Sequence, residues 1–146
     1  METNKIDVLN KILTNTLEYI QILQNLTDSI THPPTLDKLN QLKVINEEES
    51  EKLIKVISGL GGDVQTSERL TDQEAINWIS SPILNNGDIT SVWEHLIEAE
   101  RNKEDDYKNV LTHHDIDRET KNTLKPHLKK TESNITDYQS TLHGLE

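Results

Sequence analysis

LDKLNQLKVINEEESEKLIKVISGLGGD, residues 36–63, is the stretch on which the fold turns. Leu36, Leu39, Leu42, Ile45, Leu53, Val56 and Leu60 recur at steps of three and four, which places them on one face of a helix. Glu49 stands on that same face. The run closes on GLGGD, where Gly61 or Gly62 supplies the left-handed residue that ends a helix. The spacing predicts a helix over about 35–60, followed by an irregular connection over 61–88. Such a helix is about 37 Å long at about 1.5 Å per residue. The connection is long enough to run back along it and start the next helix at the same end.

Upstream, Ile6, Leu9, Leu13, Leu17, Ile20, Leu23, Leu26 and Ile30 define a first helix over about 5–30, its face widened by Val8, Ile12, Tyr19 and Ile22. His32-Pro33-Pro34 separates it from the second. A third helix over about 89–112 starts after Asp88, a side chain suited to capping, with the stripe Ile89, Trp93, Ile97, Glu100, Glu104, Tyr107 and Leu111. A fourth over about 117–142 carries Leu124, Leu128, Thr131, Ile135, Tyr138 and Leu142, and Pro126 is expected to kink it or delay its start. TDQEAINWIS predicts a short helix over about 71–80 inside the connection, capped by Thr71 with Glu74 and docked through Trp78 and Ile79. Two short loops and one long crossover give a single all-α domain over 1–146, a four-helix bundle with ferritin-like connectivity and a short extra helix in the crossover.

Composition narrows the function classes. The 146 residues carry a net charge of −11, which disfavours nucleic acid and anionic membrane surfaces as partners. Cysteine is absent, so disulfides and thiolate chemistry are excluded. The first residues lack the apolar core of a signal peptide and no apolar run approaches about 20 residues, so a cytoplasmic protein without membrane spans is expected. Hydrophobic residues are only 32% of the chain, few enough that a protein partner or a second copy covering one face is a reasonable expectation. GLGGD has neither the preceding strand nor the following lysine of a phosphate loop, and no nucleophile-elbow pattern occurs. His113 and His114 read as solvent-facing polar residues of a turn.

The informative residues are carboxylates on helical faces. Glu49, Glu100 and Glu104 interrupt apolar stripes, and a bare carboxylate in a dry core costs several kcal/mol. Di-iron bundles use such residues with two Glu-x-x-His motifs, because iron takes oxygen and imidazole ligands. Here Val92, Leu124 and Ser140 stand three residues before His95, His127 and His143, so the motif is missing. Glu48 with Glu51, and Glu132 with Asp137, are the nearest carboxylate substitutes, and an all-carboxylate set favours hard cations such as calcium or magnesium. The other reading is an ion-paired or solvated polar layer. Lys52, Lys55, Arg101, Lys103, Lys129 and Lys130 lie within a turn or so of the acids, as on ordinary helix surfaces. A wet layer predicts that Glu49→Leu leaves stability unchanged or raised.

VLNKIL near the start, LGGDV after the second helix, Trp78 in the crossover and EAER at 98–101 occur in an order that resembles a bacterial ferritin-like family of unknown function. The resemblance spans nearly the whole chain. It implies a ferritin-like bundle, cytoplasmic, with a role in stress physiology and no established activity. Within the wider ferritin and rubrerythrin-like group it implies iron binding by mid-helix glutamates. The positions that match are Glu18, Glu48 or Glu49, Glu100 and Glu132. The missing His ligands, the two alanines in the chain and Pro126 depart from that pattern. The expectation is a non-catalytic bundle acting through protein association, without a cofactor. The alternative is a metal-binding protein using Glu18, Glu48, Glu49, Glu100, Glu104 and Glu132 for iron or calcium. DNA protection by a ferritin-like shell is disfavoured by the charge.

Overall fold

The computed structural model describes residues 5–64, 78, 88–113 and 115–145. They form four helices: α1 (Lys5–Ser29), α2 (Pro33–Gly59), α3 (Ile89–Thr112) and α4 (Arg118–Leu145). The predicted helix over 71–80 lies outside the described residues, apart from Trp78.

Local chemistry accounts for the helix ends. At the close of α2, Leu60 is followed by Gly61 at φ 81. The Gly61 N–H donates to Ser58 O and the Gly62 N–H to Ile57 O, the paired bonds of a Schellman motif. Gly62 then passes so close to α1 that a Cβ there would lie 2.7 Å from Ile6. Asp88 caps α3 by accepting from the Thr90 N–H, and Asp117 caps α4 by accepting from the Thr120 N–H and hydroxyl. Those bonds hold the Asp117 carboxyl below its usual range. Pro33 and Pro34 open α2, where a missing N–H costs nothing. Pro126 neither delays nor ends α4: the helix begins at Arg118 and runs through it. The ring removes one backbone donor, and the turns on either side carry buried Leu124, His127 and Thr131.

Cross-helix contacts set the topology. Trp93 Nε1, at the start of α3, donates to Thr35 Oγ1, at the start of α2, over 3.3 Å. The two helices therefore begin at the same end of the bundle, as the long connection requires. Lys38 near the start of α2 reaches Asp137 and Thr141 near the end of α4, so these two run antiparallel. Trp78 packs edge-on to Tyr19 of α1, while Asp106 and Asn102 of α3 accept from and donate to it.

The core is a seven-residue seam. Along each helix one set of buried positions steps by alternating threes and fours, with further buried residues beside it in α1, α2 and α3. In α1 this set is 9, 12, 16, 19, 23 and 26, continued by Ile30 just past the helix, and in α2 it is 35, 39, 42, 46, 49 and 53. In α3 the set is 93, 96, 100, 103, 107 and 110, with Val92, Ile97 and Ala99 buried beside it, and in α4 it is 120, 124, 127, 131, 134 and 138. Leucines, isoleucines and valines fill much of the seam toward the ends. The middle is polar.

The predicted stripes therefore need correction. Ile45 and Leu128, placed on the core face, are only half-buried, and Asn46 and His127 take the interior positions beside them. In α3 the interior residue is Lys103, not Glu104.

Candidate functional site

Each helix sends polar side chains into the central layer. Lys103 of α3 is fully buried. Its ammonium donates to Glu49 Oε1 of α2 at 2.5 Å and to Asn46 Oδ1, one turn away, at 3.0 Å. The same ammonium lies 5.7 Å from the centroid of the Trp78 ring and 6.0 Å from that of Tyr107. Aromatic faces of this kind attract a cation, more so when water is excluded. The charge thus has two oxygen acceptors and two π faces in place of a hydration shell.

Glu100, one turn before Lys103, is also fully buried. Its Oε1 accepts from Asn134 Nδ2 of α4 at 3.0 Å. Its Oε2 and the Tyr19 hydroxyl of α1 have no well-formed hydrogen bond among the described residues. Burial, and next to it the Glu100 charge, raise the Tyr19 phenol well above its ordinary pKa, so Tyr19 keeps its proton. Tyr107 and Tyr138 are held up by burial too, with Glu49 foremost among the charges acting on Tyr107 and Glu100 foremost for Tyr138. Burial also raises Glu49, and the opposing pull of Lys103 does not cancel it.

His127 closes the layer on α4. Burial, then the positive charges of Lys103 and Lys52, lower its pKa to about 4, so it is neutral near pH 7. The Tyr107 hydroxyl and His127 Nδ1 share a hydrogen bond of 3.0 Å, whose direction follows the imidazole tautomer.

Of the sequence candidates, the structure brings Glu49 and Glu100 into one layer. Glu104 is half-buried outside it and pairs with Lys108 at 3.7 Å. Glu48 and Glu132 are exposed, and Glu18 is half-buried. Among the described residues no group of three or more His, Asp or Glu side chains is placed to hold a metal ion. Sequence reasoning placed Lys103 on a solvated face and left out Asn46, Asn134 and Tyr19 as partners. The signal that reveals them is the seven-residue register, in which Lys103 falls midway between Leu96 and Val110, and Asn46 between Leu39 and Leu53.

A groove of about 340 Å³ opens between the end of α2 and the start of α4, lined by Lys52, Lys55, Asp117 and Glu119 among others. Glu49, Glu100, Lys103 and His127 are not among the residues that line it. No described helix is long and apolar enough to cross a membrane. Comparison with models of protein families, with curated proteins and with solved structures finds no match to the chain.

Proposed function

We propose that this protein is a ferritin-like bundle that acts through association with protein, its buried Glu49 paired with its own Lys103. One observation carries the reading: the ammonium of fully buried Lys103 sits on Glu49 at 2.5 Å. A cation bound at mid-bundle would have to displace that ammonium or share Glu49 with it, against charge repulsion. Divalent metals also prefer several carboxylate or imidazole ligands on open positions. The layer fits a part that sets structure, and the outer faces are left to do the work. Val44 and Ile54 of α2 leave apolar side chains in solvent there. The resemblance to ferritin-like proteins of unknown function adds the expectation of a cytoplasmic role in stress physiology.

A second reading has its own observation. Buried Glu100 Oε2 without a well-formed hydrogen bond favours a metal-binding bundle using iron or another divalent cation. Elemental analysis of the purified protein, before and after ferrous iron under air, decides between the two. Association predicts substoichiometric metal, together with self-association or a captured partner in sedimentation and cross-linking experiments. Stoichiometric metal that disappears in Glu100→Gln would replace the first reading with the second.

A further inference from the structure

Three functional groups of different chemistry meet at one point of the central layer. The Lys103 ammonium of α3 lies 2.5 Å from Glu49 Oε1 and 3.0 Å from Asn46 Oδ1, both on α2. Asn46 and Lys103 are wholly buried, and Glu49 is 5% exposed. The Asn46 amide is fixed in orientation, because its Nδ2 donates to Leu42 O at 2.9 Å and leaves Oδ1 to the lysine. The rings of Trp78 and Tyr107 flank the same ammonium. An amine, a carboxamide and a carboxyl group are thus held together with water excluded. In solution an amine does not displace ammonia from an amide at a useful rate. Fixed proximity replaces the bimolecular encounter, and a neighbouring acid–base group moves the protons.

We propose that Lys103 and Asn46 join slowly in the folded chain as an intramolecular amide crosslink between α3 and α2, with Glu49 as the proton carrier. The Lys103 ammonium first gives a proton to Glu49 across their hydrogen bond. A dry site favours that exchange, since it turns two buried charges into two neutral groups, and burial raises the Glu49 carboxyl above its ordinary range. The Nζ electron pair then bonds to Asn46 Cγ, and the Cγ–Nδ2 bond breaks. Of the three ammonium hydrogens, one stays on the new amide nitrogen, one passes through Glu49 to Nδ2, which leaves as ammonia, and one remains on Glu49. No oxidant and no second molecule is needed. Glu49 is the carrier rather than the acyl donor, because an ionised carboxylate repels the amine's electron pair and an amide carbon does not. The ion pair is the precursor, carried by freshly made protein. A chain without cysteine gains a covalent tie between helices by this route. The inference concerns the interior and does not depend on what the outer faces bind.

The test is the intact mass of the purified protein, fresh and at intervals of incubation, under native conditions and in urea. The expected result is a species lighter than the sequence mass by one ammonia, accumulating only in native protein. Trypsin then releases residues 44–52 joined to residues 102–108, with no cleavage after Lys103. Lys103→Arg keeps the charge and stops the loss. Glu49→Gln keeps the shape and slows it by about 100-fold. The wild-type mass and peptide map decide the question by themselves if neither variant folds. A mass that stays at the sequence value throughout overturns the proposal. Ammonia loss that proceeds equally in urea, or that leaves the two peptides separate, is ordinary asparagine cyclisation and overturns it too. Loss of water with the peptides joined would make Glu49 the acyl donor and overturn the assignment to Asn46.

Discussion

Lys103–Glu49 ties α3 to α2 at the centre of the bundle, and Lys38–Asp137 ties α2 to α4 near one end. The two ion pairs share the same chemistry and differ in their surroundings. The first has side-chain exposures of 0% and 6%, the second 31% and 53%. Water screens the outer pair and competes for both its partners, so it contributes about 0–1 kcal/mol. The inner pair has lost that water. Its Coulomb attraction is stronger, its desolvation cost is several kcal/mol per ion, and the two nearly offset. The pairs therefore differ less in net worth than in the damage done when one partner is removed.

The largest expected effect is at the centre. Lys103→Met leaves Glu49 buried alone, and Glu49→Leu leaves Lys103 so. Each single change is expected to cost about 3–5 kcal/mol by urea denaturation, and the double variant to unfold near the wild-type midpoint or above it. A dry layer thus reverses the expectation that Glu49→Leu is harmless. If either single change costs no more than an outer-pair substitution, the centre is wet and the distinction collapses.

Acid offers a second comparison. His127 has a folded pKa of about 4 against about 6.5 unfolded, so the unfolded chain binds its proton first. Its contribution is complete above about pH 6.5 and is lost as the pH falls toward 4. The total is about 3 kcal/mol by linkage, and His127→Gln is expected to flatten stability over that window. Unchanged pH dependence in the variant would place the acid sensitivity elsewhere.

The next effect lies at the end of α2. Gly61→Ala puts a Cβ on a residue at φ 81 and is expected to cost about 1 kcal/mol, read as a fall in melting temperature. The smallest is Lys38→Met, expected to cost under about 1 kcal/mol, and less still at high salt. Salt sensitivity of the outer pair with none at the inner one would deepen the contrast.

Much of this was legible in the sequence, for identifiable reasons. Helix ends were readable because Gly61, Asp88 and the Pro33-Pro34 pair each act locally, and no distant contact overrides them. Glu49 and Glu100 were readable as interior because apolar neighbours fix their faces. Lys103 was not, because a lysine three residues after a glutamate looks like a surface pair, and Glu104 offered the more obvious spacing. Apolar letters alone trace a stripe that drifts toward Ile45, Glu104 and Leu128 wherever a polar residue takes the interior position. The alternating three-and-four rhythm holds through those interruptions, and it is the better guide to a bundle with a polar middle. The extra helix expected over 71–80 falls outside the described residues.

The polar layer also acts as a key. Leucine and isoleucine seams repeat every seven residues, so one helix slid against its neighbours by two turns, about 10 Å, still meets apolar side chains. Lys103 does not tolerate that slide. With α3 shifted by one repeat, Leu96 or Val110 would stand where Lys103 meets Glu49, and both charges would be stranded. The Glu100–Asn134 bond between α3 and α4 would be lost in the same step. α3 is thereby pinned against two neighbours at one level, and the chain has one alignment in which its buried charges and amides find each other.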